Sequence, residues 1–244
     1  MSTNKRKIAS ALRAAFPHTI PVLTGFGFLG LSYGVYMAAE GFGFLYPLFI
    51  SIFVFGGSLQ FVAVNLLLGA FSPLQALAVS LALQARHLFY GISMLDRFRA
   101  AKGLKRAYLI FGMCDESFAI NHTANIPEGI DRGWFMFWVT ALNQSYWVIA
   151  SALGGLLGSM ITFNTYGIDF VMTAMFVVIL IEQILKERSV YTAAIGISGS
   201  VVSLLLFGAD SFLIPAMALI IVALYALRHP LEKKYLGGES EVGS

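Results

Sequence analysis

The sequence contains little charge and almost no cysteine. Charged side chains make up 12% of its 244 residues and hydrophobic side chains 58%, whereas soluble domains carry roughly 25% charge. Together with a mean hydropathy of +0.77, this shortage of charge excludes a soluble monomer and indicates a chain that folds in lipid. The one cysteine, Cys114, has no second cysteine for an intramolecular disulfide and lies in no zinc-binding motif.

Several functional motifs are missing as well. The formal net charge of +3 comes from short basic runs beside apolar stretches, which is typical of membrane topology and argues against a nucleic-acid partner. The chain contains no GxxxxGK[ST] sequence for ATP hydrolysis, and Gly25 to Gly30 matches GxGxxG by letter only, because no strand precedes it. It also contains no GxSxG or HExxH motif. We therefore expect neither an enzyme nor a site for a metal or a cofactor.

Eight apolar stretches lie between the polar loops and tails. In hydrocarbon every backbone N–H and C=O needs a partner within the protein, and these stretches are too long and too uniformly apolar for the alternating strands of a barrel. We therefore predict an all-α polytopic membrane protein, a helical bundle of about seven to eight hydrophobic segments, two of them discontinuous or re-entrant. The stretches are 17–38, 45–71, 74–95, 107–122, 134–161, 169–185, 190–207 and 211–227.

Clusters of lysine and arginine predict the orientation of these segments. The positive-inside rule places the N-terminal tail, the loop 96–106, the turn 186–188 and the C-terminal tail in the cytoplasm. Two loops on the same side of a membrane need an even number of crossings between them. However, three apolar segments lie between the N-terminal tail and the loop 96–106, and three more lie between that loop and the turn 186–188. Each half has one segment too many, unless the loop 96–106 lies outside. The predicted organisation is a cytoplasmic or interfacial N-terminal segment, a transmembrane transporter domain and a cytoplasmic polar tail, at 1–16, 17–228 and 229–244.

We therefore predict one interrupted segment in each half. In the first half it is 45–71, which carries Gly56 to Gln60 at its centre and would be ~40 Å long as one straight helix, against a hydrocarbon core of ~30 Å. In the second half it is 107–122, interrupted by the polar residues Asp115 to Ser117. Broken helices supply free backbone N–H and C=O groups at the substrate sites of secondary transporters.

Four short motifs occur in order along the chain. They are Phe55-Gly56-Gly57-Ser58-Leu59-Gln60-Phe61, Arg86-His87-Leu88-Phe89-Tyr90-Gly91, Asp115-Glu116 and Gly167-Ile168-Asp169-Phe170. In this order they resemble the AzlC family, which supplies the large subunits of two-component branched-chain amino-acid exporters. The resemblance extends over residues 15–228. It departs from the family pattern at Cys114, where the pattern implies a threonine before the acidic pair.

The resemblance implies a substrate, a partner and a location. The substrates would be small apolar amino acids such as valine, leucine, isoleucine or methionine. The partner would be a small membrane subunit of the AzlD type. The protein would be a multi-pass chain of the bacterial cytoplasmic (inner) membrane, and the basic tails predict that both termini lie in the cytoplasm.

Seven charged residues lie within or at the ends of the apolar segments, where a charge needs a partner or a water-filled cavity. They are Glu40, Arg86, Asp115, Glu116, Asp169, Glu182 and Asp210. Arg86 is expected either to hold a substrate carboxylate or to pair with Asp115 or Glu116, and the alternative is that it snorkels towards the basic loop. His87 either carries a proton, since an imidazole titrates near neutral pH, or has a structural role.

The acidic residues Asp115 and Glu116 are adjacent, so on a helix their side chains point about 100° apart. We expect one to face a cavity and the other to pair with a base. Together they could bind a coupling proton, a sodium ion or the substrate ammonium group, or they could lie in a solvated loop. Asp169 is either a binding residue or an N-cap at the start of its segment.

The remaining candidates are uncharged side chains that offer close backbone approach, hydrogen bonds or apolar contact to a substrate. They are Gly56, Gly57, Ser58, Gln60, Phe61, Tyr90, Ser117 and Asn143. Helix packing through small residues and hydrogen bonds between helices would explain the small and amide residues equally well.

Taken together, these residues predict an alternating-access carrier driven by a proton gradient. Export of an apolar amino acid is what the resemblance to the AzlC family implies for this carrier. The alternatives are the permease component of an ATP-driven amino-acid transporter and a channel, although a channel would need polar residues along one continuous pore. An intramembrane hydrolase would have to pair Ser58 with His87.

Overall fold

The computed structural model describes residues 2–70, 72–160, 177, 181, 190–208 and 212–227. These residues contain ten α-helices and no β-strand, which confirms the all-helical prediction for the described part of the chain. The chain divides into two compact units, residues 1–172 and 173–244. In the first unit the helices are α1 (Ser2–Ala39), α2 (Leu45–Phe53), α3 (Ser58–Leu68), α4 (Pro73–Gln84), α5 (Arg86–Phe98), α6 (Leu104–Phe111), α7 (Asp115–Thr123) and α8 (Arg132–Met160).

The two longest helices, α1 and α8, pack against each other along the centre of the first unit. Glycines allow their backbones to touch. A Cβ atom at Gly34 of α1 would overlap the backbone of Ser151 and Gly155, and one at Gly154 of α8 would overlap the backbone of Leu31. Such close contact through small residues is how helices associate in lipid, where apolar side chains gain nothing by leaving the solvent.

The N-terminal part of the chain is continuous with the first apolar segment. The predicted boundary between the interfacial segment and the transmembrane domain, at residue 17, falls within α1, which runs through Pro17 and Pro21. Within the described residues, Lys5–Ala39 is the one helix that is long and apolar enough to cross a membrane. The helices α2 to α7 are shorter than the ~20 residues that a crossing needs, so each crossing by these segments would take two of them.

Three interruptions divide the six short helices into pairs. The stretch 45–71 is broken at residues 54–57, which share Gly56 and Gly57 with the break predicted at Gly56 to Gln60, whereas Ser58 to Gln60 form the first turn of α3. The stretch 107–122 is broken at residues 112–114, and the polar residues Asp115 to Ser117 form the first turn of α7. The difference has a physical cause, because acidic residues and serine are favoured at a helix N-terminus and therefore begin a helix here.

The third interruption was not predicted from the sequence. The stretch 74–95 is divided at Ala85 into α4 and α5. Ala85 keeps right-handed backbone angles, with φ −53° and ψ −33°, so this interruption is a local change of the hydrogen-bond ladder and not a loop. It places Arg86 at the first position of α5.

Large apolar side chains cover much of the outside of the first unit. Leu88 and Phe89 of α5 are each 69% exposed, and Leu104 at the start of α6 is 90% exposed. In water, large exposed apolar surfaces lead to association or aggregation. In a bilayer the same side chains face hydrocarbon, in agreement with the composition of the chain.

The second unit contains two described helices, α9 (Val190–Phe207) and α10 (Leu213–Ala226), which pack against each other. Gly199 of α9 lies against Ile220 of α10, so a Cβ atom there would press on the isoleucine side chain. The candidate Asp169, together with Glu182, Asp210, the turn 186–188 and the tail 229–244, lies outside the described residues.

Candidate functional site

The first interruption lies between α2 and α3. Gly57 has φ 47°, which a glycine adopts readily, but Phe55 also has a positive φ of 41°. For a residue with a bulky side chain this conformation costs on the order of 1–2 kcal/mol, and such strain is often found at functional sites. Two glutamine side chains bond to backbone carbonyls at this interruption. Gln144 Nε2 donates to the Ile52 carbonyl at 3.1 Å, and Gln84 Nε2 donates at 3.3 Å to the Gly56 carbonyl, which also accepts from the Leu59 N–H.

The first turn of α3 is attached to α8. Gln60 is fully buried; its Oε1 accepts a hydrogen bond from Trp147 Nε1 at 2.6 Å, and its Nε2 donates to Ser51 Oγ at 3.3 Å. Phe61 is 2% exposed and its ring lies edge-on to Tyr33, with the centroids 5.1 Å apart. The Gln60 and Phe61 side chains therefore contact protein groups, and Gly56 is also buried while Gly57 and Ser58 are half-buried.

The second interruption lies between α6 and α7. The last backbone hydrogen bond before it runs from the Gly112 N–H to the Tyr108 carbonyl, and the first bond after it from the Phe118 N–H to the Cys114 carbonyl, each 2.8 Å long. Ser117 is 1% exposed, and its Oγ accepts from the Cys114 thiol at 3.2 Å and from Asn143 Nδ2 at 3.1 Å. Asn143, fully buried on α8, thus ties down the first turn of α7.

An ion pair joins the second and third interruptions. Arg86 Nη1, at the start of α5, lies 3.1 Å from Asp115 Oδ2, at the start of α7. The two side chains are 41% and 33% exposed, so the pair is only partly shielded from its surroundings. The neighbouring Glu116 is half-buried in the same turn of α7. Both carboxylates therefore lie at the N-terminus of α7, where a negative charge is stabilised.

Aromatic rings lie directly beside this ion pair. The His87 ring centroid lies 5.5 Å from that of Tyr90. Tyr90 in turn stacks on Phe118 of α7, with a centroid separation of 4.3 Å and an angle of 12° between the rings. The stack gives the charged groups an apolar wall formed by α5 and α7.

The ion pair and its neighbour retain polar atoms that no hydrogen bond satisfies. Among the described residues, Arg86 Nε, His87 Nδ1 and Asp115 Oδ1 are buried atoms without a hydrogen-bond partner, and so is Asn143 Oδ1 on α8. Most buried polar atoms in proteins are hydrogen-bonded, so such atoms require an explanation. An arginine N–H can donate to a carboxylate and an aspartate oxygen can accept from an ammonium group.

The structure brings most of the described candidates into two groups. Arg86, His87, Tyr90 and Asp115 lie together, and Ser117, two residues after Asp115, is in contact with Asn143 of α8. The Gln60 cluster meets α8 at Trp147, four residues after Asn143 and hence on the same face about 6 Å along the helix. Both predicted interruptions are therefore held by a single helix.

Sequence reasoning missed three residues that organise this region: Gln84, Tyr108 and Trp147. Gln84 lies in a polar group with Arg86 and His87, inside an otherwise apolar segment, and that grouping could have indicated an interruption. Trp147 follows Asn143 at a spacing of four, which indicates a shared helix face. In the described part of the chain, no group of three or more His, Cys, Asp or Glu side chains is placed to hold a metal ion.

Comparison with known proteins identifies clear relatives. Residues 21–161 match the family model described as AzlC protein. The chain is 57% identical to the branched-chain amino acid transport protein AzlC of Bacillus subtilis over 94% of this chain and 91% of the relative. It is 44% identical to a membrane protein of Haemophilus influenzae over 86% of each chain, and 25% identical to the inner membrane protein YgaZ of Escherichia coli over 72% of this chain and 74% of the relative. No solved structure matches the chain.

Proposed function

Because this chain belongs to the AzlC family, we propose that it is the large subunit of a secondary transporter that exports branched-chain and similar apolar L-amino acids. Transport would occur by alternating access and be driven by a proton gradient. Family membership supports a role in amino-acid transport, since the Bacillus subtilis relative is named as a branched-chain amino acid transport protein.

The observation that carries the proposal is the partly exposed ion pair between Arg86 and Asp115. An amino acid is a zwitterion, and this pair offers one charge of each sign where two helix interruptions meet. Each partner also has one unsatisfied atom, Arg86 Nε and Asp115 Oδ1. In the proposed complex the substrate carboxylate accepts from the Arg86 guanidinium, and the ammonium group donates to Asp115. Both contacts are charge-assisted hydrogen bonds, the stronger kind.

The apolar part of the substrate would lie against the stack of Tyr90 and Phe118, which lies beside the ion pair. Burial of a branched aliphatic side chain against such a surface is favourable by about 25 cal/mol per Å². The buried Phe61 and Gln60, with Gly56 and Gly57 of the interruption and Ser58 at the start of α3, would form another part of the site. Asn143 and Ser117 would hold the turn that carries Asp115 and Glu116.

The proton would be carried by His87 or by a carboxylate of the acidic pair. His87 borders the ion pair and has an unsatisfied Nδ1, and a histidine changes its charge close to neutral pH. Proton transfer to this ring or to Asp115 would weaken the hold on the ammonium group and so link release to the proton gradient. Asp169 is a further candidate on the basis of its motif alone.

The proposed partner rests on the family of the chain, and the proposed location rests on the family and on the apolar surface of the first unit. We propose a small AzlD-like subunit as the partner and the bacterial cytoplasmic membrane as the location, with both termini in the cytoplasm. The relatives named as membrane proteins support the membrane location, and so does the apolar exterior of the first unit. The interrupted segments would be discontinuous or re-entrant within the bilayer.

The test is counterflow of labelled L-valine in vesicles that contain the chain and its small subunit. A carrier exchanges internal unlabelled L-valine for external label, saturably and without ATP, and D-valine competes poorly. An imposed pH gradient should accelerate net movement, and a protonophore should abolish that acceleration. Absence of counterflow would refute the carrier, a requirement for ATP would favour a permease component, and indifference to the pH gradient would remove proton coupling.

A further inference from the structure

We propose that Gln144 is a positioning residue that couples the first and second interruptions, so that a movement at one is transmitted to the other. Its role in transport rests on the proposed function, but the coupling itself is a property of the fold. Gln144 lies on α8, immediately after Asn143 and in the turn before Trp147. It is the one residue of this cluster whose side chain bonds to both broken segments among the described residues.

The side chain of Gln144 makes one hydrogen bond to each of two interrupted segments, 45–71 and 107–122. Its Nε2 donates to the Ile52 carbonyl at 3.1 Å; this carbonyl belongs to the last turn of α2, just before the first interruption. Its Oε1 accepts from the Tyr108 hydroxyl at 2.6 Å, and Tyr108 lies in the last turn of α6, just before the second interruption. A side-chain amide has donors and an acceptor a fixed distance apart, so this bridge has a defined length.

The same two segments are also joined on their other side. Gln84 Nε2 donates to the Gly56 carbonyl within the first interruption. Two residues further along the chain, Arg86 pairs with Asp115 immediately after the second interruption. These contacts therefore connect all three interruptions in a ring: Gln84 and Arg86 link the first interruption to the second, and Gln144 links the two a second time.

This ring of contacts gives Gln144 a task that a packing residue would not have. When the substrate separates Arg86 from Asp115, α7 and α6 are freed to move relative to α5. The amide of Gln144 then transfers that displacement from Tyr108 to Ile52 and hence to the first interruption. Neither methionine, which lacks both hydrogen bonds, nor an ionised glutamate, which cannot donate to a carbonyl, would replace it.

The first experiment measures the coupling without any substrate. Tyr108→Phe removes one hydroxyl from α6, and we expect amide hydrogen exchange at residues 54–57 to rise about tenfold in the full chain in nanodiscs. Those residues belong to a different segment, so a purely local role of Tyr108 would leave them unchanged. The matched control is Tyr146→Phe. Tyr146 lies on α8, the helix that carries Gln144, and this change removes the 3.1 Å hydrogen bond between the Tyr146 and Thr19 hydroxyls. It should not affect hydrogen exchange at residues 54–57.

The second experiment separates binding from movement. We expect Gln144→Met to bind L-valine with a dissociation constant within about twofold of the unmodified chain but to exchange it about tenfold more slowly. Adding Tyr108→Phe to Gln144→Met should then have no further effect, because both changes cut the same bridge. If Gln144→Met does not accumulate in membranes, Tyr108→Phe alone is used for both measurements.

The outcomes distinguish this inference from the proposed function. If exchange at residues 54–57 is the same in Tyr108→Phe and the unmodified chain, the coupling is refuted even when valine transport is found. An equal loss of binding and transport rate would also refute it, since that result indicates a merely structural residue. If the unmodified chain shows no valine counterflow, the proposed function fails, whereas the hydrogen-exchange result still decides the coupling.

Discussion

Arg86 and Asp115 belong to different interrupted segments, yet Nη1 of the arginine lies 3.1 Å from Oδ2 of the aspartate. Each residue is at the first position of its helix. The pair therefore neutralises two charges that would otherwise be costly in a membrane. Both side chains are partly exposed. In the proposed complex a small zwitterion would take the place of each partner, and exchanging one charged partner for another is cheaper than creating an isolated charge.

The first prediction concerns this pair. Arg86→Gln and Asp115→Asn should each raise the half-saturating concentration of L-valine in counterflow at least tenfold, about 1.4 kcal/mol, because each removes a charge-assisted bond to the substrate. The matched control is Arg99→Gln. Arg99 pairs with Asp96 at 3.4 Å, but the side chains are 77% and 86% exposed, so its loss should leave the half-saturating concentration unchanged. Full valine affinity in either test variant would remove the pair from the substrate site.

The second prediction concerns the packing of α1 and α8. Gly34→Ala should lower the thermal unfolding midpoint in detergent, because its methyl group would overlap the backbone of Ser151 and Gly155, and overpacking of this kind costs about 1–3 kcal/mol. Gly25→Ala in the same helix meets nothing within 4 Å and should leave the midpoint unchanged or slightly higher. Equal midpoints for the two variants would show that the helices are not in backbone contact.

The third prediction concerns Trp147. Trp147→Phe removes the indole N–H and leaves Gln60 Oε1 buried without a donor, which should cost about 1–3 kcal/mol of stability. Trp138 provides the control, because its indole nitrogen is buried without any hydrogen-bond partner in the described structure. Trp138→Phe should therefore be neutral or stabilising in the same unfolding measurement. If Trp138→Phe proved the more damaging change, the hydrogen-bonding argument would be wrong.

The fourth prediction concerns Cys114, the residue just before α7. Its backbone is extended, with φ −118° and ψ 175°, and its side chain makes no capping hydrogen bond. Cys114→Thr should raise the unfolding midpoint by the equivalent of about 0.5–1 kcal/mol, since threonine at this position can accept from a free N–H of the first turn. Cys114→Val has a similar shape but no hydroxyl and should give no such gain. Valine counterflow should persist in Cys114→Thr.

The sequence predicted an interruption at Gly56 to Gln60, and the structure has it at residues 54–57. The overlap at the two glycines has a local cause, because adjacent glycines make a break inexpensive and Gly57 has a positive φ. Sequence reasoning misplaced the second interruption by a few residues, because the polar residues that indicated a break are good helix starters. The interruption at Ala85 was not predicted, since alanine favours helix, although the neighbouring polar side chains could have indicated it. It lies between side chains that bond to distant segments, Gln84 to Gly56 and Arg86 to Asp115. The sequence offered the second contact as one of the possible roles of Arg86 but gave no sign of the first.

The candidate residues likewise divide into those that the sequence predicted and those that it missed. Charged and amide residues in apolar segments were predicted from the sequence, because their burial always needs a physical reason. Their partners were harder to predict. Trp147 is ordinary in an apolar helix, and its importance comes only from the Gln60 side chain that lies 87 positions earlier in the chain.

The glycines where α1 meets α8 restrict what can move. With backbone lying on backbone at Gly34 and Gly154, neither helix can turn about its own axis without driving a side chain into its neighbour. The backbones of this pair therefore form a fixed frame within the first unit. In the proposed alternating access the short helices α2 to α7 would pivot at their three interruptions, and Gln144 would transmit the displacement through its side chain while α8 itself stays in place.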